Sequence, residues 1–212
     1  MKTLVAIPMK APARAKTRLA PAMNDRQRER LALLMFERTL GFFRGYWPDF
    51  DVMAVTDAGE IAALAERHGA GLLLETREAG LNAAAAQALR HALERGYERL
   101  VIVPGDVPVW LRAEVARVLA LSRRHALTLA ESYDGGTNLL ALAPPQPFEF
   151  HYGPQSAARH ARSARRRGLS VARCCLPFLA RDIDTAADCV ELAEAWAAGC
   201  GRGPAACKGA RR

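Results

Sequence analysis

The stretch Arg99-Leu100-Val101-Ile102-Val103-Pro104-Gly105-Asp106-Val107-Pro108 decides the fold class. Arg99 to Val103 is a short run of branched apolar residues, too brief for a helix and stopped by a Pro-Gly turn, which is the pattern of a strand buried on both faces. A carboxylate follows at once. Asp106 is followed by Val107 and Pro108, and a carboxylate in such company costs desolvation energy unless a cation or donor pairs with it.

Working outward, the same alternation recurs. Asn82 to Arg95 reads as a helix stopped by Gly96, and Ala113 to Arg124 as a helix followed by a strand at Leu127 to Ala130. Toward the amino end come a strand at Thr3 to Pro8, a Pro- and Lys/Arg-containing loop at Met9 to Asn24, and a helix from Asp25 to Arg44 capped by Asn24. A strand at Phe50 to Val55, a helix at Ala58 to His68 closed by Gly69, and a strand at Gly71 to Glu75 complete that half. Strands alternating with helices predict an α/β fold, a mostly parallel sheet with helices on both faces.

After Glu131 the rhythm changes. The loop Ser132 to Thr137 leads into Asn138 to Leu142, and Pro144, Pro145 and Pro147 break the chain before His151. That segment looks like an insertion carrying a ligand site. Helix returns at Gln155 to Arg167 with Gly168 as its stop, then a strand at Leu169 to Cys174 and a final helix at Thr185 to Ala198, where Thr185 and Asp188 have capping-box spacing.

With 212 residues, 50% hydrophobic and 25% charged, the chain suits one domain, residues 1–198, rather than two. Residues 199–212, rich in Gly, Ala and basic residues, are expected to form a disordered tail. No apolar run approaches the roughly 18 residues of a membrane span, and Met1 to Pro8 is too short for a secretory signal, so a cytoplasmic location is expected. Five cysteines without a C-x-x-C pair give neither a disulfide framework nor a zinc-finger spacing, and reduced, structural thiols are expected.

The formal charge of +8, from 30 basic and 22 acidic residues, fits either a polyanion such as DNA or a small phosphorylated ligand. Its distribution argues for the small ligand. Arg202, Lys208, Arg211 and Arg212 lie in the tail, and a second cluster, Arg159 to Arg173, sits on one predicted helix and the strand after it. The excess of arginine over the four lysines reads first as genome base composition. Neither nucleic acid nor a membrane is the expected partner.

Open parallel sheets bind ligands beyond the carboxyl ends of their strands, and polar residues gather at five such places. Lys10, Lys16 and Arg18 lie in the loop after the first strand, placed to fold over a triphosphate or to serve as a solvated turn. Gly80 and Asn82 begin a helix, where Asn82 also suits an N-cap. Asp106 is the third place. The fourth is Asp182-Ile183-Asp184, where an extended chain aims both carboxylates at one side. Three convergent aspartates repel without a metal, and hard oxygen ligands favour magnesium over zinc. The plainer reading of the last pair is charge ahead of an N-cap. The fifth place joins Gly135-Gly136-Thr137-Asn138 to Gly153-Pro154-Gln155-Ser156, whose free backbone N–H groups at a helix start would receive a phosphate. Thr137 and Ser156 hydroxyls add donors there, and His160 reads as a polar residue on the helix surface.

Seven motifs follow one another along the chain: Ile7-Pro8-x-Lys10, Ala15-Lys16-Thr17-Arg18-Leu19, Gly80-Leu81-Asn82, Pro104-Gly105-Asp106-Val107-Pro108, Gly135-Gly136-Thr137-Asn138, Gly153-Pro154-x-Ser156-x-x-x-His160 and Asp182-Ile183-Asp184-Thr185. Together, over about residues 3 to 195, they resemble the guanylyltransferase family that makes the activated three-carbon acid for coenzyme F-420 biosynthesis. The resemblance implies a nucleotide-diphospho-sugar transferase fold similar to the molybdenum-cofactor guanylyltransferases, with GTP and a phosphorylated three-carbon acid as substrates. It implies nucleotide contacts at Pro8, Lys10, Lys16, Arg18, Gly80 and Asn82, and phosphoacid contacts at Thr137, Gly153 and Ser156. Asp106, Asp182 and Asp184 would hold magnesium, and Lys16, Arg18 and Asp106 would serve catalysis. A downstream transferase that consumes the activated product is an implied partner. Two departures from the family pattern, His151-Tyr152 before Gly153 and Leu139 after Asn138, lie by the acceptor site. Members use 2-phospho-L-lactate, phosphoenolpyruvate or 3-phospho-D-glycerate, and the added polar atoms of His151 and Tyr152 favour the hydroxylated acid. Two rival readings are a metal-dependent nucleotide-sugar glycosyltransferase and a non-catalytic nucleotide- or nucleic-acid-binding module.

Overall fold

In the computed structural model the described residues are 1–75, 80–183, 185, 187, 188 and 190. Branched apolar residues build the strands: β1 (Thr3–Pro8), β2 (Asp51–Thr56), β3 (Gly71–Leu74), β4 (Arg99–Ile102), β5 (Leu127–Glu131), β6 (Thr137–Leu142) and β7 (Val171–Cys174). Between them lie α1 (Asp25–Tyr46), α2 (Gly59–Arg67), α3 (Leu81–Glu94), α4 (Arg112–Leu121) and α5 (Ser156–Arg166). The elements expected up to Cys174 are present, with ends displaced by a few residues at most. Asn24 caps α1 in a reciprocal pair with Gln27, each side chain bonding the other's backbone N–H at 3.0 Å. Such a cap stabilises a helix by about 1 kcal/mol.

The described strands form one sheet in the order β3-β2-β1-β4-β6-β5-β7. All neighbours are parallel except that β6 runs antiparallel to both β4 and β5. The segment after Glu131 is therefore more than an inserted loop: β6 is buried along its whole length between two core strands. Alternate residues face opposite layers. Val5 and Ile7 pack with Phe36, Leu40 and Phe43 of α1 and with α2 and α4, while Leu4 and Ala6 face α3 and α5. Alanines 84, 85, 88 and 92 give α3 a smooth face against the sheet.

Topology places the site. The chain steps outward from β1 to β2 and β3, then returns to lay β4 on the other side of β1. That reversal opens a crevice at the carboxyl ends of β1 and β4. Because β6 is antiparallel, its first residues, Thr137 and Asn138, lie at the same sheet end as the residues that follow β4.

The Thr185–Asp188 capping box is present, with the Asp188 carboxylate accepting from the Thr185 amide at 2.6 Å and hydroxyl at 2.9 Å. Asp184, most of the residues expected to form the final helix at Thr185 to Ala198, and the expected tail at 199–212 lie outside the described residues. Cys174 is free and Cys175 is disulfide-bonded, which corrects the expectation of reduced thiols for Cys175. With no C-x-x-C pair in the chain, no short spacing marks Cys175 as a bridging residue.

Candidate active site

At the β1/β4 crevice a cavity of about 280 Å³ is lined by Pro8 at the end of β1 and Lys10 after it, by Glu75 and Gly80 before α3, and by Gly105 and Asp106 after β4. Gly105 has to be glycine, since a Cβ there would sit 2.9 Å from a Phe36 ring carbon and 3.1 Å from the Met9 sulfur. Its amide bonds Pro8 O, which seats the Pro-Gly-Asp turn against the end of β1.

The loop after β1 is anchored, not a solvated turn. It folds into two short 3-10 turns, Pro12–Arg14 and Thr17–Leu19. Arg14 Nη2 donates to both carboxylate oxygens of Asp57 at 3.0 Å, and buried Arg28 of α1 donates to Ala15 O at 3.0 Å. Lys16 between the turns has a left-handed φ of +52, a conformation that a non-glycine residue adopts at an energetic cost when surroundings hold it. Its side chain is buried, and its ammonium meets Asp106 Oδ2 at 2.9 Å. Arg18 is exposed on the second turn.

A second cluster occupies the start of β6 and α5. Thr137 Oγ1 is 2.9 Å from Ser156 Oγ and 3.3 Å from His160 Nδ1. His160 is fully buried, not on the helix surface. Ala157, His160, Ala161 and Ala164 form the i, i+3, i+4, i+7 stripe that α5 turns inward. Burial foremost, then the neighbouring His151 and Arg159, holds His160 down at about 3. The ring of free amides is narrower than the sequence implies. The helix begins at Ser156 behind a left-handed Gln155, and the amides of Ser156 and Ala157 already donate to Gly153 O and Gly135 O. Gly153, at φ +119, supplies the turn that lets the chain enter α5.

Asn82 joins the two clusters. It lies inside α3, whose N-cap is Gly80, so it is not the cap. Its Oδ1 accepts from the Tyr152 amide at 2.6 Å, and its Nδ2 faces Tyr152 O at 3.4 Å. Helix α3, which lines the crevice, thus holds the chain entering Gly153. The Tyr152 hydroxyl is buried with no hydrogen-bond partner among the described residues, and burial raises its pKa.

Asp182 Oδ1 accepts from Asn138 Nδ2 at 2.8 Å, and that amide also donates to Leu179 O at 3.0 Å. From the other side, the Glu114 carboxylate of α4 accepts the amides of Phe178 and Leu179 at 3.1 and 2.7 Å. Both contacts fix the strap that delivers Asp182. Among the described residues no three His, Cys, Asp or Glu side chains are grouped to hold a metal ion, and the third candidate ligand, Asp184, lies outside them. The two described aspartates offer hard oxygen donors, the chemistry a magnesium ion takes.

Against known proteins, a family model described as guanylyl transferase CofC like matches residues 3–195. The chain belongs to the CofC-like guanylyl transferase family. Its CofC-like relatives include the 3-phospho-D-glycerate guanylyltransferases of Colwellia psychrerythraea, 38% identical over 91% of this chain and 92% of that one, and of Phenylobacterium zucineum, 41% identical over 84% of each. The phosphoenolpyruvate guanylyltransferase of Sphaerobacter thermophilus is 36% identical over 91% of this chain and 93% of its own. A nucleotidyl transferase structure from Methanothermobacter thermautotrophicus shares the fold, with a TM-score of 0.60 over 93% of this chain and 98% of that one at 14% identity. A CofC-like chain is a nucleotidyltransferase, which sets aside the glycosyltransferase and binding-module readings. No described helix is long and apolar enough to cross a membrane.

Of the residues expected from the sequence, Pro8, Lys10, Gly80 and Asp106 line one crevice, and Lys16 reaches it through Asp106. Thr137 and Ser156 touch each other, with Gly153 in the turn that precedes Ser156. Four features escape a reading of the sequence: Glu75, Arg28, Glu114 and the buried role of His160. The last three share one signal, a polar residue lying on the inward side of its helix.

Proposed function

We propose that this CofC-like enzyme transfers GMP from GTP to the phosphate of 3-phospho-D-glycerate and releases pyrophosphate, as the activating step toward coenzyme F-420. The observation that carries the reading is the crevice at the β1/β4 reversal, where a buried lysine pairs with the aspartate on its wall. In this reaction an oxygen of the acceptor phosphate bonds to the α-phosphorus of GTP while the bond from that phosphorus to the β-phosphate bridge breaks in line. The acceptor oxygen is already anionic at pH 7, so no Ser-His or Cys-His pair is required. Lys10, Lys16 and Arg18 hold the triphosphate and the departing pyrophosphate, and Gly80 with Asn82 borders the nucleoside. Thr137, Gly153 and Ser156 receive the acceptor.

Asp106, Asp182 and Asp184 are the residues that would hold magnesium, which when bound supplies charge neutralisation between two polyanionic substrates. Lys16 serves the same end from the protein side, because an ammonium held in a dry site acts on developing charge without reorganising. The substrates are charged cytoplasmic metabolites, so the reaction is assigned to the cytoplasm, with a transferase that consumes the activated acid following it.

The choice of acceptor is supported by the names of the 38% and 41% identical relatives and by the polar His151-Tyr152 pair at the acceptor turn. It is tested by specificity constants for 3-phospho-D-glycerate, phosphoenolpyruvate and 2-phospho-L-lactate on the wild type and on His151→Phe. The glycerate is expected to lead on the wild type and to lose ground on the variant. A lead for phosphoenolpyruvate that the substitution leaves unmoved would overturn the choice of acid.

A further inference from the structure

The cluster at the start of β6 and α5 has a direction that heavy-atom distances alone do not reveal. The backbone N–H of His151 donates to His160 Nε2 at 2.8 Å. An amide proton cannot reverse its role, so Nε2 has to accept and carries no hydrogen. The ring is neutral near pH 7, since burial and the neighbouring His151 and Arg159 hold it at about 3. Its one remaining proton is therefore on Nδ1, the nitrogen 3.3 Å from Thr137 Oγ1.

A count of protons then fixes the rest. His160 Nδ1, Thr137 Oγ1 and Ser156 Oγ carry three hydrogens, and the two contacts among them, at 3.3 and 2.9 Å, use two. One hydroxyl hydrogen of the Thr137–Ser156 pair is left over, and it has no acceptor among the described residues. With the ring proton on Nε2 instead, Nδ1 would take the Thr137 hydrogen and the pair would keep no spare donor.

We propose that His160, locked in its Nδ1–H form by the His151 amide, is a positioning residue that sets the polarity of the Thr137–Ser156 pair so that it presents a hydroxyl donor to an anionic oxygen of the acceptor. The inference rests on the assignment of Thr137 and Ser156 to the acceptor acid. It adds a chemical restriction: the pair selects an ionised phosphate or carboxylate oxygen and discriminates against a neutral donor group at that point. His160 touches no substrate and acts through Thr137.

Two substitutions separate the two edges of the ring. In His160→Asn the side-chain amide nitrogen takes the place of Nδ1 and still donates to Thr137, but the His151 amide loses its acceptor. In His160→Gln the amide oxygen reaches the Nε2 position and still accepts from His151, but the donor to Thr137 is lost. The acceptor KM is expected to stay within about twofold of wild type in His160→Asn and to rise about tenfold in His160→Gln, the effect of one lost neutral hydrogen bond. GTP affinity should be unchanged in both. Thermal stability should rank the opposite way, with the Gln variant above the Asn variant. A purely structural His160 makes stability and KM move together, and that result would overturn the proposal. The wild type supplies a check that needs no variant to fold well: long-range proton–nitrogen correlations of 15N-histidine-labelled protein should show one buried ring protonated at Nδ1, and a proton on Nε2 would refute it. If the wild type releases no pyrophosphate with any phosphorylated acid, the functional assignment fails instead, whatever the tautomer.

Discussion

Lys16 Nζ stands 2.9 Å from Asp106 Oδ2, pairing a side chain 2% exposed with one 43% exposed. The contact spans the reversal of strand order, since Lys16 belongs to the loop after β1 and Asp106 to the turn after β4. Burying an ammonium is costly unless charge and hydrogen bonds compensate, and the left-handed backbone of Lys16 adds strain to that cost. Arg28, bonded to Ala15 O, and Arg14, bonded to Asp57, tie down the loop just ahead of Lys16.

Lys16→Ala is expected to lower kcat/KM for the nucleotide by about 100-fold or more, the scale seen when one preorganised charge-stabilising group is removed from a site. Lys16→Arg should not restore it, because a planar fork does not fill the position of a compact ammonium. Steady-state kinetics with circular dichroism distinguishes this from unfolding; near-normal turnover in the alanine variant would remove Lys16 from catalysis.

Chelating divalent ions should abolish turnover, and magnesium should restore it in the wild type alone among wild type, Asp106→Asn, Asp182→Asn and Asp184→Asn. Each substitution removes a hard anionic oxygen. Any one of the three that keeps near-normal activity is not a magnesium ligand. Asp106→Asn should also lower the melting temperature modestly, since it takes the carboxylate from a buried lysine. Calorimetry without metal measures that.

Much of this arrangement is legible in the sequence. The branched run at Thr3 to Pro8 and the Asn24 cap appear in the fold where the pattern places them, because each depends on neighbours within a few residues. Asp106 is conspicuous for a similar reason, a carboxylate at a strand end with Val103-Pro104 before it and Val107-Pro108 after it. What escapes depends on partners far along the chain. Nothing local tells that β6 slots antiparallel between β4 and β5, or that Asn82 is occupied by the backbone of Tyr152, 70 residues away. His160 passes for a surface residue because its stripe is made of alanines, small residues that do not announce a buried face as leucines do.

Glu114→Ala should destabilise the protein by about 2–3 kcal/mol, since two backbone amides, of Phe178 and Leu179, lose a buried charged acceptor. Activity should fall with it, because the strap carrying Asp182 loosens, and Glu114→Gln should recover part of both. Urea denaturation and turnover of the two variants check this; an unaffected alanine variant would show that the strap is held elsewhere.

The buried ring of His160 also fixes a pH dependence. Its folded pKa of about 3 lies below the ordinary 6.5, so between those values the unfolded chain binds a proton that the native state refuses. Stability from this group is complete above pH 6.5 and is lost as pH falls toward 3. Urea midpoints followed across that window should decline more steeply for wild type than for His160→Asn, and equal slopes would mean that the ring titrates normally in the fold.

The most direct measurement is phosphorus NMR of the protein with magnesium and GTP, first alone and then with 3-phospho-D-glycerate, phosphoenolpyruvate or 2-phospho-L-lactate. The expected result is pyrophosphate, together with a new diphosphate-diester signal, only when a phosphorylated acid is present, and fastest with 3-phospho-D-glycerate. Loss of GTP to GDP and inorganic phosphate irrespective of the acid, or no reaction with any of the three, would contradict the guanylyl transfer assigned to the Lys16–Asp106 crevice.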